Sequence, residues 1–557
     1  MPRTNRPLSL AVFVFMQFAA LNVATPAAAQ TSTDAGVWIS DQGDGTYKNP
    51  IIFADYSDPD VIRVGDDYYL VASSFNCAPG LPILHSKDLV NWKIVSHAFQ
   101  NYPFEKFNKP QHGNGVWAPT IRFHNGEFYI YFGDPDLGVF MTKAKNPAGP
   151  WSPLLRIREA KGWIDTCPFW DDDGQAYLVH AWANSRSGIK NILTLNRMST
   201  DGKTLLDEGT LVFDGNAHHP TIEGPKLYKR NGYYYIFAPA GGVVPGWQTV
   251  LRSKNIFGPY EDKIVLAQGQ TDINGPHQGG WVETQTGESW FVHFQDRGAY
   301  GRIIHLQPVK WVNDWPVMGN DSDGDGTGEP VLVHKKPNVG KNHPVAVPQT
   351  SDEFDFRKPG LQWQWHANFS EKWFSLSARK GWFRLNSVPL PPNFTNFWSV
   401  PNLLLQKFPA PEFTVTTRLD FSRLAVGEKA GLIVMGMDYS YLAVKRTTAG
   451  CRLIKTACRN APQGNSEINE DEAACTGDSV VLRVSVGKDA VCYFSYSLDG
   501  KVFVPLGKSF TARAGRWIGA KVGLFCVSTN MEEKSGCADF DWFKFDNNDK
   551  NPTSSNL

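Results

Sequence analysis

Five times in its first 300 residues the chain repeats one short pattern, a polar turn carrying Gly followed by an aromatic-rich alternating run. The copies are Gly65-Asp-Asp-Tyr-Tyr-Leu-Val-Ala72, Asn125-Gly-Glu-Phe-Tyr-Ile-Tyr131, Asp173-Gly-Gln-Ala-Tyr-Leu-Val-His180, Asn231-Gly-Tyr-Tyr-Tyr-Ile-Phe237 and Thr286-Gly-Glu-Ser-Trp-Phe-Val-His293. Three contain Asn-Gly or Asp-Gly, which supply the positive φ angles of a two-residue hairpin turn. The glycines at 65, 126, 174, 232 and 287 recur about every 55 residues, the length of a four-stranded propeller blade with its loops. The pattern predicts an all-β fold: a five-bladed β-propeller over residues 30–340. Unrelated hairpins in one large sandwich are the plainer alternative.

The repeat also has a phase. Seven to ten residues before each turn glycine, where the preceding strand begins, stand Asp58, Trp117, Asp165, Glu223 and His277. Equivalent positions of the innermost strands face one another across a propeller axis. Taken singly, Asp58 and Asp165 read as turn or cap residues. Recurrence at one phase predicts instead a pocket of three carboxylates, a His and a Trp.

Composition removes other classes. Lys plus Arg number 55, as do Asp plus Glu, so no net field draws nucleic acid or anionic lipid. With 42% hydrophobic and 20% charged residues the chain is not of disordered type. Arg3 and Arg6, an apolar run from Leu8 to about Leu21, and Ala27-Ala28-Ala29 before Gln30 read as a cleaved signal peptide over 1–29. No later segment has the continuous apolar length of a membrane span. A secreted or periplasmic protein is expected, without membrane insertion. Six of eight cysteines (Cys451, Cys458, Cys475, Cys492, Cys526, Cys537) fall in the C-terminal part, where export predicts disulfides whose pairing the spacing leaves open.

Around these positions the chain reads Tyr56-Ser-Asp-Pro-Asp-Val61, Val116-Trp-Ala-Pro119, Trp163-Ile-Asp-Thr-Cys-Pro168 and Thr221-Ile-Glu-Gly-Pro225. With Ser73-Ser-Phe75, His85-Ser-Lys-Asp-Leu89, Arg252-Ser-Lys254, Gly258-Pro-Tyr260 and Gly301-Arg-Ile-Ile-His305, they resemble the glycoside hydrolase family 43 enzymes. That family comprises five-bladed propellers that include β-xylosidases and α-L-arabinofuranosidases. The resemblance implies Asp58 as general base, Glu223 as general acid and Asp165 as the carboxylate that orients the acid and keeps it protonated. It implies inversion, in which one carboxyl protonates the leaving oxygen and the other activates water on the opposite face. It further implies Arg302, with Arg297 as competitor, on the sugar hydroxyls or the acids. Phe75 and Trp117 become walls of the sugar subsite, with aromatic faces suited to sugar CH surfaces. His277 matches a family His that can ligate a structural calcium or sodium ion; no cofactor is otherwise required.

Other motifs carry less. Asp321-Ser-Asp-Gly-Asp-Gly326 opens like a calcium loop, but Leu332 stands where the bidentate Glu belongs, so it reads as a polar turn. His218-His219 lack metal-site spacing. No His-Glu-x-x-His, Gly-x-Ser-x-Gly or phosphate-binding loop motif occurs.

Residues 341–350 are a Pro-containing linker. From Ser351 to 557, alternation over 413–422, 430–446, 478–498 and 516–526 predicts a β-sandwich. It resembles the lectin-like, concanavalin-like domain of the β-xylosidase branch, which implies a closed pocket and exo cleavage of an oligosaccharide or polysaccharide. Three functions follow: a β-xylosidase, an α-L-arabinofuranosidase on arabinoxylan or arabinan, or a carbohydrate-binding propeller without catalysis. Retention of all three carboxylates argues against the last.

Overall fold

The five turn glycines sit in the first hairpins of five consecutive four-stranded antiparallel sheets, as a computed structural model of the chain shows. It describes residues 1–2, 36–529 and 536–547; the segment read as a signal peptide lies outside them apart from its first two residues. Each blade is a meander of strands adjacent in sequence, from Asp60–Val64 in blade one to Trp315–Met318 in blade five. The ring closes by packing. Val61 and Leu70 of blade one share a buried cluster with Val292 and Leu306 of blade five, and Arg63 donates to the Glu283 carbonyl at 2.7 Å.

The innermost strands carry a recurrent irregularity. Within two residues of their starts lie positive-φ positions: Asp58 (55°), Ala118 (35°), Asp165 (58°), Gly224 (60°) and Gln278 (42°). In blades two, three and five this coincides with a register shift between Trp117 and Thr120, Ile164 and Cys167, and His277 and Gly279. A bulge bends its strand and re-aims the local side chain. In these three blades it turns the entry residue toward the axis.

A buried ion pair ties blades one and two. Asp60, fully buried, accepts from Ile121 N at 2.9 Å and from Arg122 Nη1 at 2.7 Å, and that carboxylate holds the Arg122 guanidinium above its ordinary range.

Residues from Asp352 onward form two eight-stranded sheets packed face to face. Their core includes Phe413, Leu432, Leu482 and Phe540, and Phe53, Tyr300 and Ile303 of the propeller complete it. Among the described residues no helix is long and apolar enough to cross a membrane. One expectation needs correction. Residues 516–520, read as strand, are a loop; the strand is Lys521–Ser528. The eight cysteines are unbridged in this structure, and Cys458, Cys492 and Cys526 act as apolar core side chains.

Candidate active site

Asp58, Phe75, Trp117, Asp165, Glu223, His277 and Arg302, seven residues spread over 245 positions of sequence, line one cavity of about 380 Å³ on the propeller axis. Ring order explains their pairing. Blades three and four are neighbours, so Asp165 and Glu223 lie side by side, whereas blades one and four are not, so Asp58 approaches from across the axis.

Asp58 is 4% exposed and held through both oxygens. Oδ1 accepts from Arg302 Nη1 at 2.8 Å; Oδ2 accepts from Ser73 Oγ at 2.6 Å and Ser57 Oγ at 3.0 Å. Ser73 Oγ in turn accepts from Ala118 N at 2.8 Å, fixing the carboxylate to the entry of blade two. The Arg302 guanidinium lies over Phe294 (4.7 Å) and near Trp517 (5.8 Å). Arg297, the competitor, is exposed at the head of a short 3₁₀ turn.

Asp165 is 2% exposed. Burial, then the neighbouring Glu223 carboxylate, push its carboxyl up to about 8. Gly224 N and Gln278 Nε2 both donate to Asp165 Oδ2, at 2.8 and 3.1 Å. Both donors favour the Asp165 anion and so offset part of that rise. The Glu223 side chain is 27% exposed into the cavity, and its Oε1 lies 2.8 Å from His277 Nε2. Phe75 and Trp117 meet edge to face at 6.5 Å, forming one wall.

His277 thus serves Glu223 through one nitrogen, while its Nδ1 is buried without a partner. Among the described residues the one group of three His, Cys, Asp or Glu ligand atoms close enough for a shared ion is Asp321, Asp323 and Asp325. That loop is a run of turns in which Asp321 accepts from Gly324 N and Gly326 N. His219 is structural, with Nε2 2.8 Å from Asp262.

Gln278 and Trp517 are among the lining residues that escaped the sequence reading. Gln278 follows His277 and was hidden by it. Trp517 comes from the sandwich, 46% exposed and at φ 64°. Its signal was the spacing Gly515-Arg-Trp-Ile-Gly519, an aromatic between two glycines. Gly519 N donates to Asp55 Oδ2 at 3.0 Å, anchoring the loop to the propeller. A Cβ on Gly519 would lie 2.8 Å from the Tyr300 backbone, so the contact requires glycine.

Comparison with known proteins agrees with this construction. Residues 351–546 match the description Beta xylosidase C-terminal Concanavalin A-like domain. A protein of Xylanibacter ruminicola provisionally named a β-xylosidase is 42% identical over 504 residues, covering 89% of this chain and 88% of its own. A β-xylosidase of Formosa agariphila is 35% identical, covering 94% of each. A non-reducing end α-L-arabinofuranosidase of Bacteroides ovatus is 30% identical, covering 92% of this chain and 97% of its own. Among solved structures, the BlXynB protein of Bacillus licheniformis superposes with a TM-score of 0.76 at 29% identity, covering 90% of this chain and 99% of its own. With residues 47–316 matching the propeller family itself, the chain belongs to glycosyl hydrolases family 43.

Proposed function

We propose that this glycosidase is an exo-acting β-xylosidase that releases xylose from the ends of xylan-derived oligosaccharides with inversion. The observation that carries the reading is the division of the three carboxylates: Asp58 on one blade, held by Arg302, faces the adjacent pair Asp165 and Glu223 across the cavity. In an inverting reaction a base so placed holds a water against the anomeric carbon, opposite the acid. Trp517 on the cavity wall supports cleavage at a chain end, since an aromatic from the second domain obstructs passage of a polymer. The two β-xylosidase relatives favour xylose, and the Bacteroides ovatus relative keeps arabinofuranose as the second reading.

In the reaction Asp58, ionised and oriented by Arg302 and Ser73, removes a proton from water as its oxygen attacks the anomeric carbon. Glu223 gives its proton to the glycosidic oxygen as that bond breaks. Asp165, fixed by Gly224 and Gln278, holds Glu223 in register together with His277. Phe75 and Trp117 present flat faces to the sugar. No step is routed through an ion, and no cofactor is required. Export by the N-terminal signal would place the enzyme outside the cytoplasm, where such polymers occur.

Purified protein assayed on nitrophenyl β-xyloside and nitrophenyl α-arabinofuranoside side by side tests the substrate. Preference for the arabinofuranoside transfers the reading to the relative's activity, and hydrolysis of neither overturns it. NMR of the first anomer released tests the stereochemistry: a retained product overturns the roles of Asp58 and Glu223.

A further inference from the structure

Cys451 lies in the strand Gly450–Cys458, and Cys475 immediately follows the strand Ile468–Ala474. The two strands are antiparallel with Arg452 opposite Ala474. Continued by one residue, this register sets Cys451 across from Cys475. Opposed residues of an antiparallel pair have Cα atoms about 4.5 or 5.5 Å apart, depending on their place in the ladder. Both values fall within the separation a disulfide spans, about 4.4–6.8 Å. Opposed side chains also leave the sheet on the same face.

The surroundings agree. Both cysteines are half-buried and pack against the sandwich core. Burial and the nearby Cys451 push the Cys475 thiol up to about 12, while Arg446, opposite Cys451 on the next strand, pulls the other way. The remaining C-terminal cysteines have other occupations. Cys458 and Cys492 are buried core side chains bonded to the Asn465 and Ala490 carbonyls, and Cys526 and Cys537, on opposite sheets, neighbour each other.

The strand 468–474 has need of a fastening. It is the edge of its sheet, and six of its seven residues, Ile-Asn-Glu-Asp-Glu-Ala-Ala, are exposed. Apart from the ladder it is held by the Lys455–Glu470 pair at 2.8 Å and by Asp471, which accepts from Gly507 N at 2.9 Å.

We propose that Cys451 and Cys475 form a disulfide that staples this edge strand to its neighbour. The two thiols release two protons and two electrons as the S–S bond forms. A disulfide oxidant accepts both electrons, breaks its own S–S bond and leaves as two thiols. Export would supply such oxidants; in the test oxidised glutathione supplies them, so the result does not depend on localisation.

The full-length protein is incubated with oxidised glutathione, its remaining thiols are blocked with iodoacetamide, and it is digested without reduction for mass spectrometry. The expected product links the Cys451 and Cys475 peptides, two hydrogens lighter than their sum. The thermal midpoint should rise by about 5 °C over protein held in dithiothreitol. Cys475→Ser should leave Cys451 carrying the alkyl label and abolish that rise. The pairing is overturned if both cysteines carry the label after oxidation, if either remains as a glutathione adduct, or if either is recovered on another cysteine. A linked pair without a rise in midpoint overturns the stapling role.

Discussion

Replacing Asp165 by asparagine should stabilise this protein and disable it together. Folding buries the carboxyl beside Glu223, and these causes raise it from its ordinary 3.8 to about 8. Between those values the folded state keeps a proton that the unfolded state has released. Stability therefore falls as pH rises through the window, the opposite of an ion-paired carboxylate. From pH 5 to pH 8, at about 1.4 kcal/mol per unit, the ceiling is about 4 kcal/mol. Sharing the proton with Glu223 brings the expectation to about 2–3 kcal/mol. The amide of D165N stays neutral throughout, and its oxygen can still accept from Gly224 N and Gln278. Urea unfolding followed by tryptophan fluorescence at pH 5 and pH 8 measures the difference. The advantage of D165N over the parent should grow by about 2–3 kcal/mol between pH 5 and pH 8, while kcat falls about 100-fold. An advantage that does not grow between the two pH values refutes the burial argument. Unchanged kcat refutes the role given to the residue.

Three further expectations follow from named contacts. Glu223→Gln should lower kcat/KM on xylobiose by about 10²–10⁴ but spare an aryl xyloside whose leaving group needs no proton; equal losses on both substrates would remove Glu223 as proton donor. Trp517→Ala should raise KM for xylobiose about tenfold, equivalent to about 1.4 kcal/mol, with a melting temperature close to the parent's because the ring is 46% exposed; unchanged KM would take the loop out of substrate binding. Arg122→Met should destabilise the fold by about 3–5 kcal/mol in urea, since fully buried Asp60 loses its countercharge; a loss under about 1 kcal/mol would mean Asp60 is satisfied without it.

What the sequence disclosed about the site was whatever repeats locally. Asn125-Gly126, Asp173-Gly174 and Asn231-Gly232 announce hairpins because their backbone preference is intrinsic, and the strand entering each hairpin begins within a few residues of the same offset from the turn glycine. Counting back therefore reached Asp58, Asp165, Glu223 and His277 without knowledge of tertiary contacts. The positive φ of Asp58 and Asp165 was not legible, because neither residue type demands it; the ring imposes it where each strand turns toward the axis. Residues 516–520 were misread for a related reason. Trp517 and Ile518 continue the apolar run of a strand, and only the approach of Gly519 to the Tyr300 backbone shows that this stretch belongs to an interface.

Asp55 shows why that interface matters to the chemistry. Its Oδ1 accepts from the backbone N–H of Arg302, and its Oδ2 from the backbone N–H of Gly519. Arg302 is the residue that holds Asp58, the proposed base, and Gly519 lies in the loop that carries Trp517. One buried carboxylate therefore fixes both the orientation of the base and the wall supplied by the second domain. Loosening the sandwich from the propeller would disturb the Asp58 carboxylate and the cavity wall together. Such a coupling spans more than 460 positions of sequence, from Asp55 to Gly519, and no local pattern at either end contains it. The second domain is thus part of the catalytic unit through a contact that leaves Asp55 itself outside the cavity lining.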